Sequence, residues 1–378
     1  MILFTLLLAA VACFVSTAPG WFDTAELALG VRTLGVTHPT GHPAYVLLAH
    51  PWTWVPVGSV AFRTSLFSLA CLAGTVGFSI LTLRSLVGGS RRDLEVSVAA
   101  LLAVSVFLGT QTTRTEVYAA TLLALSAVVW MRAAYERSRD ARFAIALSFV
   151  LGLALSIHPV IALCAFVCFP TPHTRLAVLF LLLGAATYLY VPLRAHAHPA
   201  LDWGTPDHLS SLFRTLLATD YAAFRVPAMP PLSALGWFGH SLGWIVLSLA
   251  IVGALDLHRK IPFSRRLLGM ASLNLACAAW TGIYARNPDA LGYLLPAAWI
   301  ATVFAAFGWV RIVSMLPVRI HRGAFGLAVL ACFWIVRGEA VPAWESHGAD
   351  TFDAFVSGFE RQENAAIVQA QADHWVFQ

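Results

Sequence analysis

Charge is scarce in this sequence. Asp, Glu, Lys and Arg together make up 11% of its 378 residues, whereas hydrophobic residues make up 59% and the mean hydropathy is +0.75. Soluble globular proteins carry about 25% charged residues. The shortage of charge therefore excludes an ordinary soluble enzyme and predicts one polytopic membrane domain.

Other features are also missing from the sequence. There is no nucleotide-binding glycine loop, internal repeat or low-complexity tract. No basic segment precedes the apolar residues 1–18, so we expect this stretch to remain as a membrane span rather than to be removed as a signal peptide. The cysteines imply no disulfide framework, because all six lie in apolar segments where thiols pack as small hydrophobes: Cys13, Cys71, Cys164, Cys168, Cys277 and Cys332. The net charge of +5 comes from loop arginines and does not imply nucleic-acid binding.

Apolar runs of about 20 residues match the thickness of a bilayer. The predicted spans are 2–18, 62–83, 95–110, 116–131, 143–157, 159–171, 176–192, 232–255, 267–284, 292–310 and 323–336. Residues 143–171 could instead form one helix kinked at Pro159. That would remove one crossing and move the dense basic clusters of the later loops to the extracytoplasmic side of the membrane. With eleven spans and the N-terminus inside, 15 of the 24 basic residues face the cytoplasm, as the positive-inside rule expects. The predicted fold class is an all-α, polytopic transmembrane helical bundle over residues 1–336, followed by a short extracytoplasmic tail, 337–378.

This topology places two long segments outside the cytoplasm, 19–61 and 193–231. The first contains an amphipathic stretch from Leu27 to Leu34 and a second stretch, 44–57, in which Tyr45, Trp52 and Trp54 are residue types favoured at the headgroup level. We therefore expect interfacial helices in this first extracytoplasmic loop.

Two acids, Asp23 and Glu26, follow the first apolar segment, where a carboxylate costs solvation energy unless it is used. Their i, i+3 spacing places both on one helix face. A structural interpretation is a capping box, in which Asp23 caps the helix and Glu26 bonds back to the cap N–H. A functional interpretation is a base that takes a proton from a hydroxyl, or a divalent cation held by both acids with His38 or His42. The residues alone leave these alternatives open.

The run from His38 to Pro43 reads His-Pro-Thr-Gly-His-Pro. Its prolines and Gly41 are sufficient for a sharp turn back to the membrane. A turn does not require histidines, so His38 and His42 remain candidate binding residues.

Two further ionisable residues fall at the outer ends of predicted spans, Glu116 before the fourth and His158 after the fifth. Each could be a polar residue placed where water is reachable, or part of a polar cavity shared with Asp23. The alternative from another functional class is a secondary transporter that uses Glu116 and His158 as proton or substrate sites. Transporters usually have repeats and midplane sites, whereas these residues gather at one membrane face, which favours an enzyme.

Arg194 ends the seventh span and is the strongest candidate for binding a phosphate, because a guanidinium at headgroup level offers a fixed charge and bidentate geometry. A lipid-headgroup contact would explain it equally well. Asp202 follows in the same loop, and Arg286 and Asn287 are second candidates for substrate binding.

Several of these segments, in order, resemble the bacterial branch of a membrane family related to a eukaryotic protein O-mannosyltransferase that acts on IPT domains. The matching pieces are Asp23-Thr24-Ala25-Glu26, Leu34-Gly35-Val36-Thr37-His38-Pro39-Thr40-Gly41-His42-Pro43, Glu116-Val117-Tyr118, Gly152-Leu153 with His158, Tyr190-Val191-Pro192-Leu193-Arg194, Asp202-Trp203-Gly204, and Asn287, Asp289, Tyr293 and Pro296. The resemblance covers about residues 19–300. The tail 337–378 resembles the start of a soluble region that longer relatives continue.

The family is placed among the GT-C glycosyltransferases. The resemblance therefore implies a GT-C-like fold and transfer of a sugar, with mannose as the first candidate, from a polyprenyl-phosphate carrier. The expected acceptor is a protein hydroxyl or an envelope glycan or lipid outside a bacterial cytoplasmic membrane, and the anomeric centre is expected to be inverted. The resemblance implies that Asp23 is the base or metal-linked acid, Glu26 its partner and Arg194 a ligand of the donor phosphate. No cofactor other than a divalent cation is expected.

Overall fold

The computed structural model describes residues 12, 15–17, 23–105, 111–170, 173–220, 238–239, 242–280 and 290–315. Within these ranges the regular structure is helical, apart from one isolated parallel bridge between Val36 and Asp202. In chain order the α-helices are α1 (Thr24–Thr33), α2 (Pro43–Ala49), α3 (Val60–Val87), α4 (Arg92–Val104), α5 (Val117–Ser138), α6 (Ala141–Ile157), α7 (Pro159–Ala162), α8 (Thr174–Ala185), α9 (Tyr190–His196), α10 (Leu209–Leu216), α11 (Trp244–Lys260), α12 (Ser264–Trp280), α13 (Ala290–Tyr293) and α14 (Leu295–Val313). Short 3-10 helices cover His50–Trp54, Leu163–Cys168 and Ala186–Leu189.

The helix ends follow from local chemistry. The Ser59 side chain accepts the N–H of Phe62 at 3.0 Å and begins α3, and the Asp140 side chain accepts the N–H of Arg142 at 2.9 Å and begins α6. Such caps satisfy N–H groups that have no partner within the helix. Helix α3 ends at Gly88, whose φ of +80° favours a residue without a Cβ atom.

Four described helices have the length and apolar composition to cross a membrane. They are Val60–Val87, Val117–Ser138, Thr174–His196 and Leu295–Val313, and they coincide with the predicted spans 62–83, 116–131, 176–192 and 292–310. The described part of the chain is thus all-α, with four helices that are long and apolar enough to span a membrane. The number of eleven crossings and the cytoplasmic N-terminus stay predictions. Most of the predicted span 2–18, the span 323–336 and the tail 337–378 lie outside the described residues.

The region around Pro159 contains a break rather than one long helix. Helix α6 ends at Ile157, and His158 has extended backbone with φ −152° and ψ 96° before α7 begins at Pro159. Proline disfavours the helical conformation in the residue before it, which accounts for the break. The break leaves the His158 ring and the Ile157 carbonyl at the end of α6, where they face the candidate site.

The bundle is held together by close helix crossings. Gly152 of α6 packs against Gly184 of α8, and a Cβ atom on Gly152 would lie only 2.1 Å from the Leu181 carbonyl oxygen. Helices α11 and α14 approach equally closely at Gly253 and Gly308. Small residues at such crossings let backbones come close, which is typical of helix packing in membranes.

Candidate functional site

The site is built on the first turn of α1. Asp23 occupies the N-cap position, but its side chain makes no capping hydrogen bond. Glu26 does not bond back to the cap either: its Oε1 accepts the backbone N–H of His38 at 2.9 Å and its Oε2 lies 2.8 Å from Nδ1 of His38. The capping-box interpretation of this pair is therefore wrong, because the carboxylate of Glu26 is used by a residue twelve positions later in the chain.

His38 lies between the two acids. Its Nδ1 contacts Glu26, and its Nε2 is 3.5 Å from Oδ2 of Asp23. The side chain of His38 is 13% exposed and that of Glu26 19%, whereas Asp23 is 47% exposed. The site therefore has a partly buried histidine–glutamate pair and one carboxylate that is more open to solvent.

Electrostatics favour a charged His38. Burial alone would lower the pKa of His38, but the negative charges of Asp23 and Glu26, the hydrogen bond with Glu26 and the charge of Glu116 raise it to about 10. The ring is thus an imidazolium at neutral pH, and it offsets part of the negative charge of the acids.

His42 forms a hydrogen bond with Nε2 of His38. Its Nδ1 lies 2.6 Å from the carbonyl oxygen of Ile157, so Nδ1 carries the proton and Nε2 has a lone pair. That lone pair faces Nε2 of His38 at 3.2 Å, a distance at which His38 donates and His42 accepts. Burial and the neighbouring charges of His38 and His158 lower the pKa of His42, which agrees with a neutral ring.

The chain returns to this position through a tight turn after α1. Leu34 ends the helix in the left-handed region with φ 52°, and the backbone N–H of Val36 then donates to the carbonyl of Leu201 at 2.8 Å. The N–H of Trp203 donates to the carbonyl of Val36 at 3.1 Å, which completes the bridge. A Cβ atom on Gly35 would lie 2.7 Å from the Leu201 carbonyl oxygen, so the close approach of the two loops requires glycine there.

This bridge brings Asp202 and Trp203 to the site although they are far away in sequence. The Trp203 ring centroid is 6.3 Å from that of His38, edge to face. One carboxylate oxygen of Asp202 is buried without a hydrogen-bond partner, and burial raises the pKa of this carboxyl. Asp202 therefore lies in the loop beside the site with one unpaired carboxylate oxygen.

Arg194 lies at the opposite end of α1. Its Nε donates to the Leu34 carbonyl at 2.7 Å and its Nη2 to the Thr33 carbonyl at 3.3 Å. The hydroxyl of Tyr190 donates to the Gly35 carbonyl at 3.1 Å. These contacts hold the end of α1 and the turn that follows it, which is a role that the sequence alone did not predict.

Glu116 and His158 form a layer behind the histidines. Glu116 is fully buried, with Oε1 3.7 Å from a guanidinium nitrogen of Arg114. The His158 ring lies 5.8 Å from His42 and 5.0 Å from Tyr293, centroid to centroid. Tyr118 adjoins both His158 and Tyr293. Arg114 was not among the predicted site residues, although its position two residues before Glu116 was a usable signal.

Two predicted residues, Arg286 and Asn287, lie outside the described part of the chain. Among the described residues, no three His, Cys, Asp or Glu side chains are grouped so that they would hold a metal ion. His38, one of the predicted cation ligands, contacts both Asp23 and Glu26.

Comparisons with known proteins agree with the resemblance seen in the motifs. Residues 23–175 match the family model described as Protein O-mannosyl-transferase TMEM260 N-terminal domain. No curated protein matches the chain. Among solved structures, ArnT from Cupriavidus metallidurans bound to undecaprenyl phosphate superposes with a TM-score of 0.63 at 11% sequence identity, covering 90% of this chain and 65% of ArnT.

The chain thus spans somewhat less than two thirds of ArnT, and at this identity the likeness establishes the fold. The matched family segment begins at Asp23 and includes Glu26, both site histidines, Glu116 and His158. The suspected relationship is therefore confirmed: the segment from 23 to 175 is similar to the N-terminal domain of TMEM260 protein O-mannosyl-transferases, on an all-helical fold shared with the GT-C glycosyltransferase ArnT.

Proposed function

We propose that the protein is a GT-C-type membrane glycosyltransferase that moves a sugar from a polyprenyl-phosphate carrier to an acceptor hydroxyl. The family match supports transfer of mannose, and the ligand in the ArnT structure supports a polyprenyl-phosphate donor. The observation that carries the proposal is the half-exposed carboxylate of Asp23 beside the partly buried pair of Glu26 and His38. The acceptor is a protein hydroxyl or an envelope glycan or lipid.

Asp23 is the base in this proposal. The acceptor oxygen forms a bond to the anomeric carbon while the bond from that carbon to the phosphate oxygen breaks, and the hydroxyl proton passes to Asp23. Attack from the face opposite the leaving phosphate inverts the anomeric centre. His38 orients the carboxylate of Asp23 through the 3.5 Å contact, and Glu26 holds His38 through two hydrogen bonds. A base in hydrogen-bond reach of the reacting hydroxyl typically accelerates such a step by about 10²–10⁴-fold.

The leaving polyprenyl phosphate requires positive charge at the headgroup level. Arg194 is the proposed ligand, since its guanidinium offers a fixed charge and bidentate geometry beside its contacts to the end of α1. Arg286 and Asn287 stay proposed as additional substrate ligands. The proposed location of the reaction is the extracytoplasmic surface of a bacterial cytoplasmic membrane.

The contacts of Glu116 and His158 favour a supporting role over the transporter alternative. Glu116 pairs with Arg114, and its charge helps to keep His38 protonated. His158 packs behind His42 among aromatic rings. Both residues therefore support the site from the protein interior.

The experiment uses membranes that contain the wild-type chain, Asp23→Asn or Asp207→Asn, incubated with radiolabelled polyprenyl-phosphate mannose. We expect Asp23→Asn to reduce the label in protein, lipid or glycan at least about 100-fold while the protein stays folded, with a cooperative melting transition in detergent. Asp207→Asn changes an acid in the Asp202 loop that the mechanism does not use, and should transfer label normally. Normal transfer by Asp23→Asn would refute the assigned role.

A further inference from the structure

Helix α10, between the Trp203 loop and residue 217, presents three different faces. The first face packs on the protein: Leu212 contacts the small cluster of Val36, Val191 and Ala195, and Thr215 is buried. Cβ atoms built on Gly41 or Gly204 would each lie 3.9 Å from the Thr215 side chain. This face attaches the helix to the turn that contains the site histidines and to the loop that contains Trp203.

The second face is apolar and exposed. Leu209 is 73% exposed, Phe213 57% and Leu217 68%, and their spacing of four residues places them along one side of the helix. The third face is polar: Ser210 is exposed, and the exposed guanidinium of Arg214 pairs with Asp220. A helix that packs on protein, water and an apolar phase along separate stripes has the pattern of an interfacial helix.

Helix α10 packs beside a helix that has the composition of a membrane span. Leu212 of α10 contacts Val191 and Ala195 of α9, which is the last part of the apolar helix Thr174–His196. On this helix Leu189 and Leu193 are exposed, Leu193 to 70%. The exposed side of Thr174–His196 faces lipid if the helix crosses the bilayer, so the neighbouring stripe on α10 meets the same medium.

We infer that α10 is a membrane anchor whose Leu209, Phe213 and Leu217 side chains insert among the lipid chains of one leaflet. The occupant of this stripe is the bilayer itself, because α10 packs through Leu212 on the end of an apolar helix of membrane-span composition whose Leu189 and Leu193 side chains are also exposed. The anchor acts through Thr215, Gly204 and the bridge at Asp202, so it holds the loop beside His38 at the level of the lipid headgroups. This inference does not depend on the reaction proposed above.

The test adds one cysteine at a time to the full chain and attaches a nitroxide spin label to it. Each labelled protein is placed in nanodiscs of phosphatidylethanolamine and phosphatidylglycerol. Leu209→Cys and Phe213→Cys report on the apolar stripe, and Ser210→Cys and Arg214→Cys are the matched controls one residue away. Collision with oxygen, which partitions into lipid, is compared with collision with a water-soluble nickel chelate. The wild-type chain treated with the same label gives the background of its native cysteines.

We expect labels at 209 and 213 to collide several-fold more often with oxygen than with the chelate, and labels at 210 and 214 to show the reverse. Equal access of all four labels to the chelate would overturn the inference, since the stripe would then face water. Shielding of 209 and 213 from both reagents would also overturn it, because the stripe would be covered by protein. Neither outcome depends on sugar transfer, so failure here is distinguishable from failure of the proposed function.

Discussion

Replacing His38 by glutamine tests the electrostatic core of the site. The wild-type ring forms a 2.8 Å contact with Glu26, a 3.5 Å contact with Asp23 and a 3.2 Å hydrogen bond with His42. The neutral amide of His38→Gln removes the positive charge and leaves two carboxylates facing each other. We therefore expect a less stable protein at neutral pH.

The size of the effect follows from the pKa of His38. A rise from 6.5 in the unfolded chain to about 10 in the folded protein links protonation to folding by about 5 kcal/mol. Because the folded pKa is the higher one, this stability is fully present below pH 6.5 and is lost as the pH rises through 10. The difference in unfolding free energy between wild type and His38→Gln should thus be largest near pH 6 and decline steadily above it.

The assay follows unfolding of both proteins in detergent from pH 5.5 to 10.5. His50→Gln is the matched control, since Nδ1 of His50 lies 2.7 Å from the carbonyl oxygen of Val31 and not beside a carboxylate. The part of the pH dependence specific to His38 is the difference between the two variants. A His38→Gln deficit that stays constant from pH 6 to 10 would show that the ring is neutral in the folded protein and would refute the reasoning.

Two further predictions concern the scaffold. Gly152→Ala should lower the melting temperature, because the new Cβ would collide with the backbone of α8 and overpacking costs about 1–3 kcal/mol. The control Gly77→Ala should be neutral or stabilising, because no atom lies within 4 Å of the new Cβ. Equal melting temperatures of the two variants would contradict the close helix crossing. Arg194→Gln should cost about 1.5–3 kcal/mol of stability, measured by unfolding in detergent, because it removes charge-assisted hydrogen bonds to the end of α1. The exposed Arg32 offers the control Arg32→Gln, and similar losses for both variants would refute the structural role of Arg194.

Much of the helical framework could be predicted from hydropathy alone. The predicted span 62–83 lies within the helix Val60–Val87, and the predicted span 116–131 overlaps the helix Val117–Ser138. The observed helix ends differ by a few residues from the predicted ones, because caps such as Ser59 determine where a helix begins. Charge balance predicted two separate crossings on either side of Pro159, which stay a prediction; the helix break itself has a local reason, the conformational effect of proline on His158. Hydropathy, helix caps and proline act over a few neighbouring residues, so these features can be predicted from the local sequence.

The partners of the site residues could be predicted only in part. The sequence places Asp23, Glu26, His38 and His42 within twenty positions, so their proximity was a reasonable expectation. It also favoured a capping box, since local capping is common at this spacing. The left-handed turn at Leu34 decides against it, because it returns the chain so that Glu26 meets His38. Such a return depends on tertiary contacts with Leu201, which no local pattern reveals.

Asp23 and Glu26 differ in their contacts and in their exposure to solvent. Glu26 accepts two hydrogen bonds from His38 and is mostly buried, so its negative charge is balanced within the protein. Asp23 has one longer contact with the same ring and remains half exposed. Two carboxylates and one imidazolium leave a net charge of one negative unit, and Asp23 is the more exposed of the two acids. In the proposed reaction Glu26 therefore holds His38, His38 orients Asp23, and Asp23 is the acid that would accept the proton of the acceptor hydroxyl.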